Sequence, residues 1–286
     1  MKNSEINIRD PFVLAFEGKY YMYGTRGATC WGPATGFDVY VGTDLENWSD
    51  PIEIFHTPEG FWADRNYWAP EVHYYKENFY LFATFKAEGQ CRGTQILKSA
   101  SPIGPFKIHS EGPVTPRDWE CLDGTLYIDK SGIPHMIFCH EWVQVQDGKM
   151  YVVELSKDLK RAIGKPRLLF SASEALWSVA VKDGSVYVTD GPFLYRCTHG
   201  DLLMIWSSFS KGGYGVGIAK SDNGEITGNW LQEENLLFKK NGGHGMIFKS
   251  FDEKLFLALH TPNEHLAERP VFFELVDRNN RLYQKE

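Results

Sequence analysis

Three aspartates stand in short phrases that each precede a strongly apolar stretch: Asp10 in RDP, Asp123 in LDG and Asp190 in TDGP. A fourth phrase of this kind, GGHG, carries His244. Carboxyl groups that converge repel one another unless a cation or a proton separates them, so their accumulation favours a functional site. Such groups predict acid–base chemistry, in which one carboxylate activates water and a carboxylic acid protonates a leaving oxygen.

Each of these residues also has a purely structural interpretation. Asp-Pro and Asp-Gly are common in turns, where the carboxylate accepts hydrogen bonds from nearby backbone N–H groups. The recurrence of Asp at the same point of three repeats favours function over turn formation. For His244 three interpretations remain open: a core histidine, a substrate contact, or a ligand near a cation.

Five segments predict β-hairpins, each with two apolar or aromatic strands around a short turn that contains Gly or charged residues. They cover residues 12–24, 72–84, 126–139, 193–206 and 246–260. A third strand follows each hairpin, within residues 39–48, 96–106, 151–161, 216–230 and 271–276. Helical periodicity is weak throughout.

This fivefold repetition predicts an all-β chain that forms a five-bladed β-propeller, with residues 1–286 as a single domain. A β-sandwich of similar strand number is the alternative, and even repetition favours the propeller. In a propeller, the residues before the first strand and after the second strand of every blade converge on one central mouth. We therefore expect the functional residues at those positions.

Aromatic and basic residues accompany the carboxyl groups at the expected mouth. Trp68 and Trp142 are candidate platforms for sugar rings, and Trp31 is a weaker candidate of the same kind. Arg26, which follows the second strand of the first blade, is a candidate substrate contact. With His244, these residues form the expected substrate-binding set.

The phrases IRDPFVL, WAPEVHYY, CLDGTLYID, VTDGPFLYR and GGHGMIF resemble motifs of glycoside hydrolase family 43 over nearly the whole chain. The resemblance implies an inverting, exo-acting hydrolase of α-L-arabinofuranosides or β-D-xylosides from plant cell-wall glycans. It implies that Asp10 is the general base and that Asp123 tunes and orients the acid. It also implies that His244 lies on the axis, where some members bind a calcium or sodium ion, although no cofactor is expected to be required.

The general acid departs from the family pattern. The family usually has Glu in an E-[GA]-P motif at the start of the fourth blade, whereas this chain has Asp190. An aspartate is one methylene shorter, so its reach is reduced. The candidates for the acid are therefore Asp190, then Glu141 in the phrase HEW, then Glu174 in the segment between the third and fourth blades.

The composition bounds the partners and the compartment. A net charge of −7 without a Lys/Arg block argues against nucleic acid or a membrane as a partner, so a small oligosaccharide or glycoside is expected. Five scattered cysteines without a CxxC motif, and a start without an apolar segment, predict a cytoplasmic protein with reduced thiols.

Two other function classes remain open. A non-catalytic sugar-binding propeller would explain the departure at Asp190. A related propeller glycosidase or phosphorylase is the other alternative, and a phosphorylase needs a basic cluster for phosphate. Only Arg26, Arg65 and Lys86 are available for that purpose.

Overall fold

Five antiparallel sheets of four strands make up a computed structural model that describes residues 1–285. The strands of each sheet follow one another in chain order. Blade 1 contains β1 (Ile8–Phe16), β2 (Lys19–Arg26), β3 (Gly36–Gly42) and β4 (Ile52–His56). Blade 2 contains β5 (Arg65–Tyr75), β6 (Asn78–Ala87), β7 (Gln90–Ser99) and β8 (Lys107–Ile108). Blade 3 contains β9 (Cys121–Ile128), β10 (Pro134–His140), β11 (Lys149–Leu155) and β12 (Ala162–Ser171).

The other two blades repeat this arrangement. Blade 4 contains β13 (Asp190–Arg196), β14 (Leu202–Ser210), β15 (Gly213–Ser221) and β16 (Trp230–Gln232). Blade 5 contains β17 (Gly243–Lys249), β18 (Leu255–Thr261), β19 (Arg269–Arg278) and β20 (Arg281–Gln284). One short helix, α1 (Trp142–Val145), follows blade 3's second strand. The five-bladed propeller, its five hairpins and their third strands are thus confirmed.

The hydrophobic core lies between neighbouring blades. Strands that alternate polar and apolar residues present one face of each sheet to the next sheet, and stacking of the sheets buries both faces. Between blades 1 and 2, for example, the rings of Phe37 on β3 and Phe85 on β6 meet edge to face with centroids 5.8 Å apart. Four such clusters cover the junctions between blades.

The innermost strand of every blade has a register shift at the same point of its pairing with the second strand. One residue at each shift has a positive φ, an uncommon conformation for residues other than glycine. These five residues are Asp10 (54°), Ala69 (46°), Asp123 (57°), Gly191 (51°) and His244 (49°). The bulge therefore fixes one equivalent position per blade at the mouth.

The backbone N–H of each bulge residue bonds to a side chain beyond its own hairpin. Ala69 N–H donates to Thr25 Oγ1 (2.7 Å), and Asp123 N–H donates to Thr84 Oγ1 (2.9 Å). The other three acceptors are Asp123 Oδ2 for Gly191, Ser207 Oγ for His244 and His260 Nδ1 for Asp10. A ring of five hydrogen bonds thus joins each blade to the preceding one.

The ring closes between residues near the start of the chain and blade 5. Each blade is built from consecutive strands, so no strand is exchanged between the first and last blades. Arg9 Nη1 instead pairs with Glu268 Oε1 at 2.6 Å, and the Glu268 side chain is fully buried. Asn7 Nδ2 donates to the carbonyl of Glu268 at 3.0 Å.

Within residues 1–285 no helix is long and apolar enough to cross a membrane.

We predict that Glu268→Ala destabilises the protein strongly, because it leaves the guanidinium of Arg9 without its buried counter-charge. Removal of one partner from a buried ion pair costs about 3 kcal/mol in free energy of unfolding. Denaturant unfolding measures this loss, and Glu253→Ala, which removes half of an exposed pair with Lys249, is the control. Equal stability of the two variants would show that the Arg9–Glu268 pair does not close the ring.

Candidate active site

A cavity of about 560 Å³ lies at the mouth of the propeller. It brings together most of the side chains that the sequence predicts to be functional. Those that line it are Asp10, Trp31, Trp68, Asp123, Glu141, Trp142, Asp190 and His244. Arg26 and Glu174 are not among its lining residues.

Asp10 is buried and held by neighbours on three elements. Its Oδ2 accepts a hydrogen bond from Thr25 Oγ1 at 2.6 Å, and its Oδ1 lies 3.3 Å from His244 Nδ1. Burial by itself opposes ionisation, but the positive charges of His244 and Arg9 outweigh it and lower the pKa of Asp10 below its ordinary value. Asp10 is therefore a carboxylate at neutral pH and is able to accept a proton.

His260 is the neutral acceptor for the backbone of Asp10. Burial, reinforced by the charge of Arg9, lowers the pKa of His260 to about 3. Its unprotonated Nδ1 accepts the N–H of Asp10 at 3.1 Å. This bond fixes the tautomer, so Nε2 carries the hydrogen and faces Asn263 Oδ1 at 3.4 Å.

His244 supplies positive charge between two carboxyl groups. Its Nδ1 lies 3.3 Å from Asp10 Oδ1 and 3.5 Å from Asp123 Oδ2. Burial disfavours the imidazolium, but the charges of Asp10, Asp123 and Asp190 prevail and raise the pKa of His244. The protonated ring therefore offsets the repulsion between carboxylates that the sequence indicated.

Asp123 occupies the same bulge position as Asp10 but has the opposite protonation preference. Burial, together with the negative charges of Asp190 and Asp10, raises its pKa to about 7 despite the opposing field of His244. Its Oδ2 also accepts the N–H of Gly191 at 3.0 Å. Asp123 thus holds a proton near neutral pH and lies beside the start of blade 4.

Asp190 is one residue before the bulge position, which corrects the expectation that three blades place Asp equivalently. Asp190 pairs with Ser207 as Arg9 pairs with Thr25, and Gly191 takes the place of Asp10 and Asp123. A Cβ at Gly191 would lie 2.8 Å from the imidazole of His244. Because no side chain fits there, blade 4 contributes its carboxyl group from the preceding residue.

Tyr214 holds the carboxyl group of Asp190. The phenol of Tyr214 donates to Asp190 Oδ2 at 2.8 Å. Burial raises the pKa of Asp190, and the Tyr214 bond opposes this rise because it favours the anion. Asp190 therefore resembles a carboxylic acid that is available to donate a proton.

Glu141 also lines the cavity, but Arg92 neutralises it. Arg92 Nη1 forms a very short ion pair with Glu141 Oε2, and the guanidinium lies 4.1 Å from the ring centroid of Trp68. Burial raises the pKa of Glu141, and the charge of Arg92 counteracts this. Glu141 is thus a weaker candidate for a proton donor than Asp190 on its contacts.

Three indole rings lie on the cavity wall. Trp31 and Trp68 meet edge to face with centroids 5.3 Å apart, and Trp31 is 57% exposed. Lys182 Nζ lies 3.7 Å from the ring centroid of Trp142. Such aromatic faces beside carboxyl groups suit the binding of sugar rings.

The expectation that Arg26 binds substrate differs from the structure. The Arg26 guanidinium bonds to Asp38 Oδ1 and Oδ2 and to Glu53 Oε2, all within blade 1 and outside the cavity lining. Asp38 lies on β3 and Glu53 lies on β4, whereas the sequence prediction rested on the starts of first strands and the ends of second strands. Glu174 likewise accepts the N–H of Ser171 at the start of a short helix.

The other two cations that a phosphorylase would need are also occupied. Lys86 Nζ donates to Glu120 Oε1 at 2.6 Å, and Arg65 Nε donates to Asp64 Oδ1 at 2.9 Å. Neither residue lines the cavity. The geometry therefore offers no cluster of these three cations for phosphate.

Sequence reasoning missed five polar residues of the site: Arg9, Lys182, Tyr214, Asn263 and His265. Tyr214 lies on β15, the third strand of blade 4. The sequence prediction covered only the residues before the first strand and after the second strand of each blade. Third strands also begin at the mouth, so their first residues carry a signal of the same kind. Asn263 and His265 lie between the second and third strands of blade 5.

The axial cation expected beside His244 stays a prediction for residues 1–285. No group of three His, Cys, Asp or Glu side chains there has the geometry to hold a metal ion. Calcium takes six to eight oxygen ligands, whereas Nδ1 of His244 faces Asp10 and Asp123 as a positively charged donor. Nδ1 of His244 is therefore not suited to be a metal ligand.

The family model for glycosyl hydrolases family 43 matches residues 4–279, which include every carboxyl group of the cavity. The chain belongs to this family. It is therefore a glycoside hydrolase, and its substrate is a carbohydrate.

Solved structures of the family are similar over nearly the whole chain. The endo-arabinase from Bacteroides thetaiotaomicron VPI-5482 is 40% identical, with 98% of each chain covered and a TM-score of 0.92. A thermostable family-43 glycoside hydrolase is 25% identical, with 98% of this chain and 93% of that chain covered and a TM-score of 0.85.

Two relatives are known by their activities. The extracellular endo-α-(1→5)-L-arabinanase 1 of Bacillus subtilis (strain 168) is 25% identical over 82% of this chain and 71% of its own. The extracellular exo-α-(1→5)-L-arabinofuranosidase ArbA of Cellvibrio japonicus (strain Ueda107) is 26% identical over 90% of this chain and 79% of its own.

The names of these relatives contradict the expected cytoplasmic location. Both proteins are extracellular, which points to secretion. The cysteine pattern misled because all five thiols are free, and four of them are buried in the core. A buried thiol is protected from oxidants by packing, so an odd number of cysteines does not report on the compartment.

We predict that Tyr214→Phe moves the alkaline limb of the pH profile of kcat/KM to higher pH. Loss of the phenol donor raises the pKa of Asp190, and an acid catalyst loses activity as pH rises through its pKa. Tyr283→Phe, which alters an exposed tyrosine on β20, is the control. An alkaline limb that stays in place or moves to lower pH would exclude Asp190 as the acid.

Proposed function

We propose that the protein cleaves α-(1→5)-linked L-arabinan within the chain, with inversion at the anomeric carbon. The endo mode is supported by the endo-arabinase at 40% identity and by the endo-arabinanase of Bacillus subtilis. The sugar and the α-(1→5) linkage are supported by both curated relatives, although the one from Cellvibrio japonicus is exo-acting. The earlier expectation of exo action on arabinofuranosides or xylosides gives way to this narrower proposal.

One observation carries the proposal: a single cavity holds carboxyl groups with opposite protonation preferences. The pKa of Asp10 is lowered, whereas the pKa values of Asp123 and Asp190 are raised. Hydrolysis by inversion needs one ionised and one protonated carboxyl group at neutral pH. The cavity supplies both.

In the proposed reaction, Asp10 removes a proton from a water molecule as the water oxygen bonds to the anomeric carbon. Asp190 gives its proton to the glycosidic oxygen as the bond from that oxygen to the anomeric carbon breaks. Asp123 stays protonated, and burial together with the negative charge of Asp10 keeps the pKa of Asp190 raised. The positive charge of His244, which lies between Asp10 and Asp123, offsets the repulsion between these two carboxyl groups.

The proposal predicts the products of linear α-1,5-arabinan. An endo enzyme releases a range of oligosaccharides early, and an inverting one gives products whose first anomer is β. Chromatography of an early time course and proton NMR of fresh product measure the two outcomes. Asp10→Asn, which keeps the shape of the base, should lower kcat by about 10²–10⁴-fold.

Other outcomes of this experiment would overturn parts of the proposal. Release of arabinose alone would establish exo action, and retained configuration would make Asp10 a nucleophile rather than a base. Cleavage of xylan in preference to arabinan would reassign the sugar. Binding without turnover would return the chain to the class of non-catalytic sugar-binding propellers.

The identity of the acid is tested by the leaving group. A nitrophenolate leaves without protonation, whereas a sugar alkoxide does not. We therefore expect Asp190→Ala to lose far more activity on an arabino-oligosaccharide than on 4-nitrophenyl α-L-arabinofuranoside. Glu141→Gln should lose similar activity on both substrates, because Glu141 is paired with Arg92. The reverse pattern would assign the proton transfer to Glu141.

A further inference from the structure

A second cavity, of about 330 Å³, opens on the same face of the propeller as the mouth. Its walls come from the turn between β6 and β7, from the segment between β8 and β9, and from Trp62 just before β5. Second strands end and third strands begin at the mouth face, so this cavity lies over blade 2 beside the catalytic cavity.

A wall one side chain thick separates the two cavities. Arg92 lines the second cavity, while its guanidinium contacts Trp68 and Glu141, which line the first. Arg92 is 9% exposed, and its buried Nε has no hydrogen-bond partner. An unpartnered donor of this kind is costly unless a ligand or water satisfies it.

The remaining lining suits a sugar better than a charged or wholly apolar ligand. Trp62 presents a half-buried indole, whose orientation is fixed by a short hydrogen bond from Nε1 to Gln95 Oε1. Gln90, Glu111 and Arg117 are exposed around it and offer both donors and acceptors. An aromatic face surrounded by planar polar groups is the pattern that binds the apolar face and the hydroxyls of a sugar.

We propose that this second cavity is an accessory subsite, which binds a sugar residue of the glycan chain several units from the bond that is cleaved. The proposal rests on the proposed function, because only a polymeric substrate occupies both cavities at once. A glycan bound at Asp10 passes the Trp68–Arg92 wall and reaches Trp62. Occupancy of both cavities favours attack within a chain over attack at its end.

The test compares a long and a short substrate in Arg117→Ala and Gln90→Ala. Both residues are exposed, so the variants are expected to fold, unlike changes at Trp62, which packs against Phe61 and Phe85. We expect kcat/KM on linear α-1,5-arabinan to fall by about fivefold in Arg117→Ala, the loss expected from hydrogen bonds to an exposed charged group. Turnover of 4-nitrophenyl α-L-arabinofuranoside, which is too short to reach Arg117, should change by less than about twofold.

Arg167→Ala is the matched control, because Arg167 is exposed on β12 and lines none of the cavities described above. It should alter neither substrate. Equal losses on both substrates, or no loss on the polymer, would overturn the accessory subsite.

This result is separable from failure of the proposed function. If the wild-type protein does not cleave arabinan, the proposed specificity fails, and the ratio of long to short substrate is then measured on the polymer that it does cleave. Binding of an oligosaccharide of that polymer to Asp10→Asn, followed by calorimetry with and without Arg117→Ala, gives a second readout. Unchanged affinity in the double variant would contradict the subsite without reference to turnover.

Discussion

At each blade's innermost strand, one backbone N–H leaves its own hairpin and bonds to a side chain at the preceding blade. A buried N–H that lacks an acceptor costs about 1–3 kcal/mol, so each bulge can exist only where the neighbouring blade presents one. The ring of bonds therefore sets the register between blades and the direction of the side chains at the mouth together. Thr25 shows the coupling, because its hydroxyl accepts from Ala69 and donates to Asp10.

Asp10 and Asp123 share this backbone geometry, yet their pKa values shift in opposite directions. The difference comes from the nearby charges, since both carboxyl groups are buried. His244 lies beside both, but Asp10 also has the cation of Arg9 next to it, whereas Asp123 faces the negative charges of Asp190 and Asp10. The fold thus supplies repeated positions, and the sequence assigns each one a role through its neighbours.

Much of this was accessible from sequence, for physical reasons that also explain the errors. Strands were predictable because apolar alternation and turn residues act locally. Asp10, Asp123 and His244 were found because each lies at the start of the innermost strand of its blade. The one-residue offset of Asp190 could not be predicted, because it depends on the space beside His244. The prediction that Arg26 binds substrate was wrong because its carboxylate partners, Asp38 and Glu53, lie on other strands. The predicted cytoplasmic location was wrong because the number of cysteines does not show whether their thiols are buried.

Closure of the ring and the charge state of Asp10 both depend on Arg9. Arg9 Nη1 pairs with the buried Glu268 of blade 5, and Arg9 Nη2 donates to Asn263. The same guanidinium helps lower the pKa of the adjacent Asp10. Because the first and last blades exchange no strand, the Arg9–Glu268 ion pair is one of the contacts that hold them together, and its Arg9 lines the cavity. Loosening of this junction would therefore move the charge that keeps Asp10 ionised, so the stability of the ring and the strength of the base are linked through Arg9.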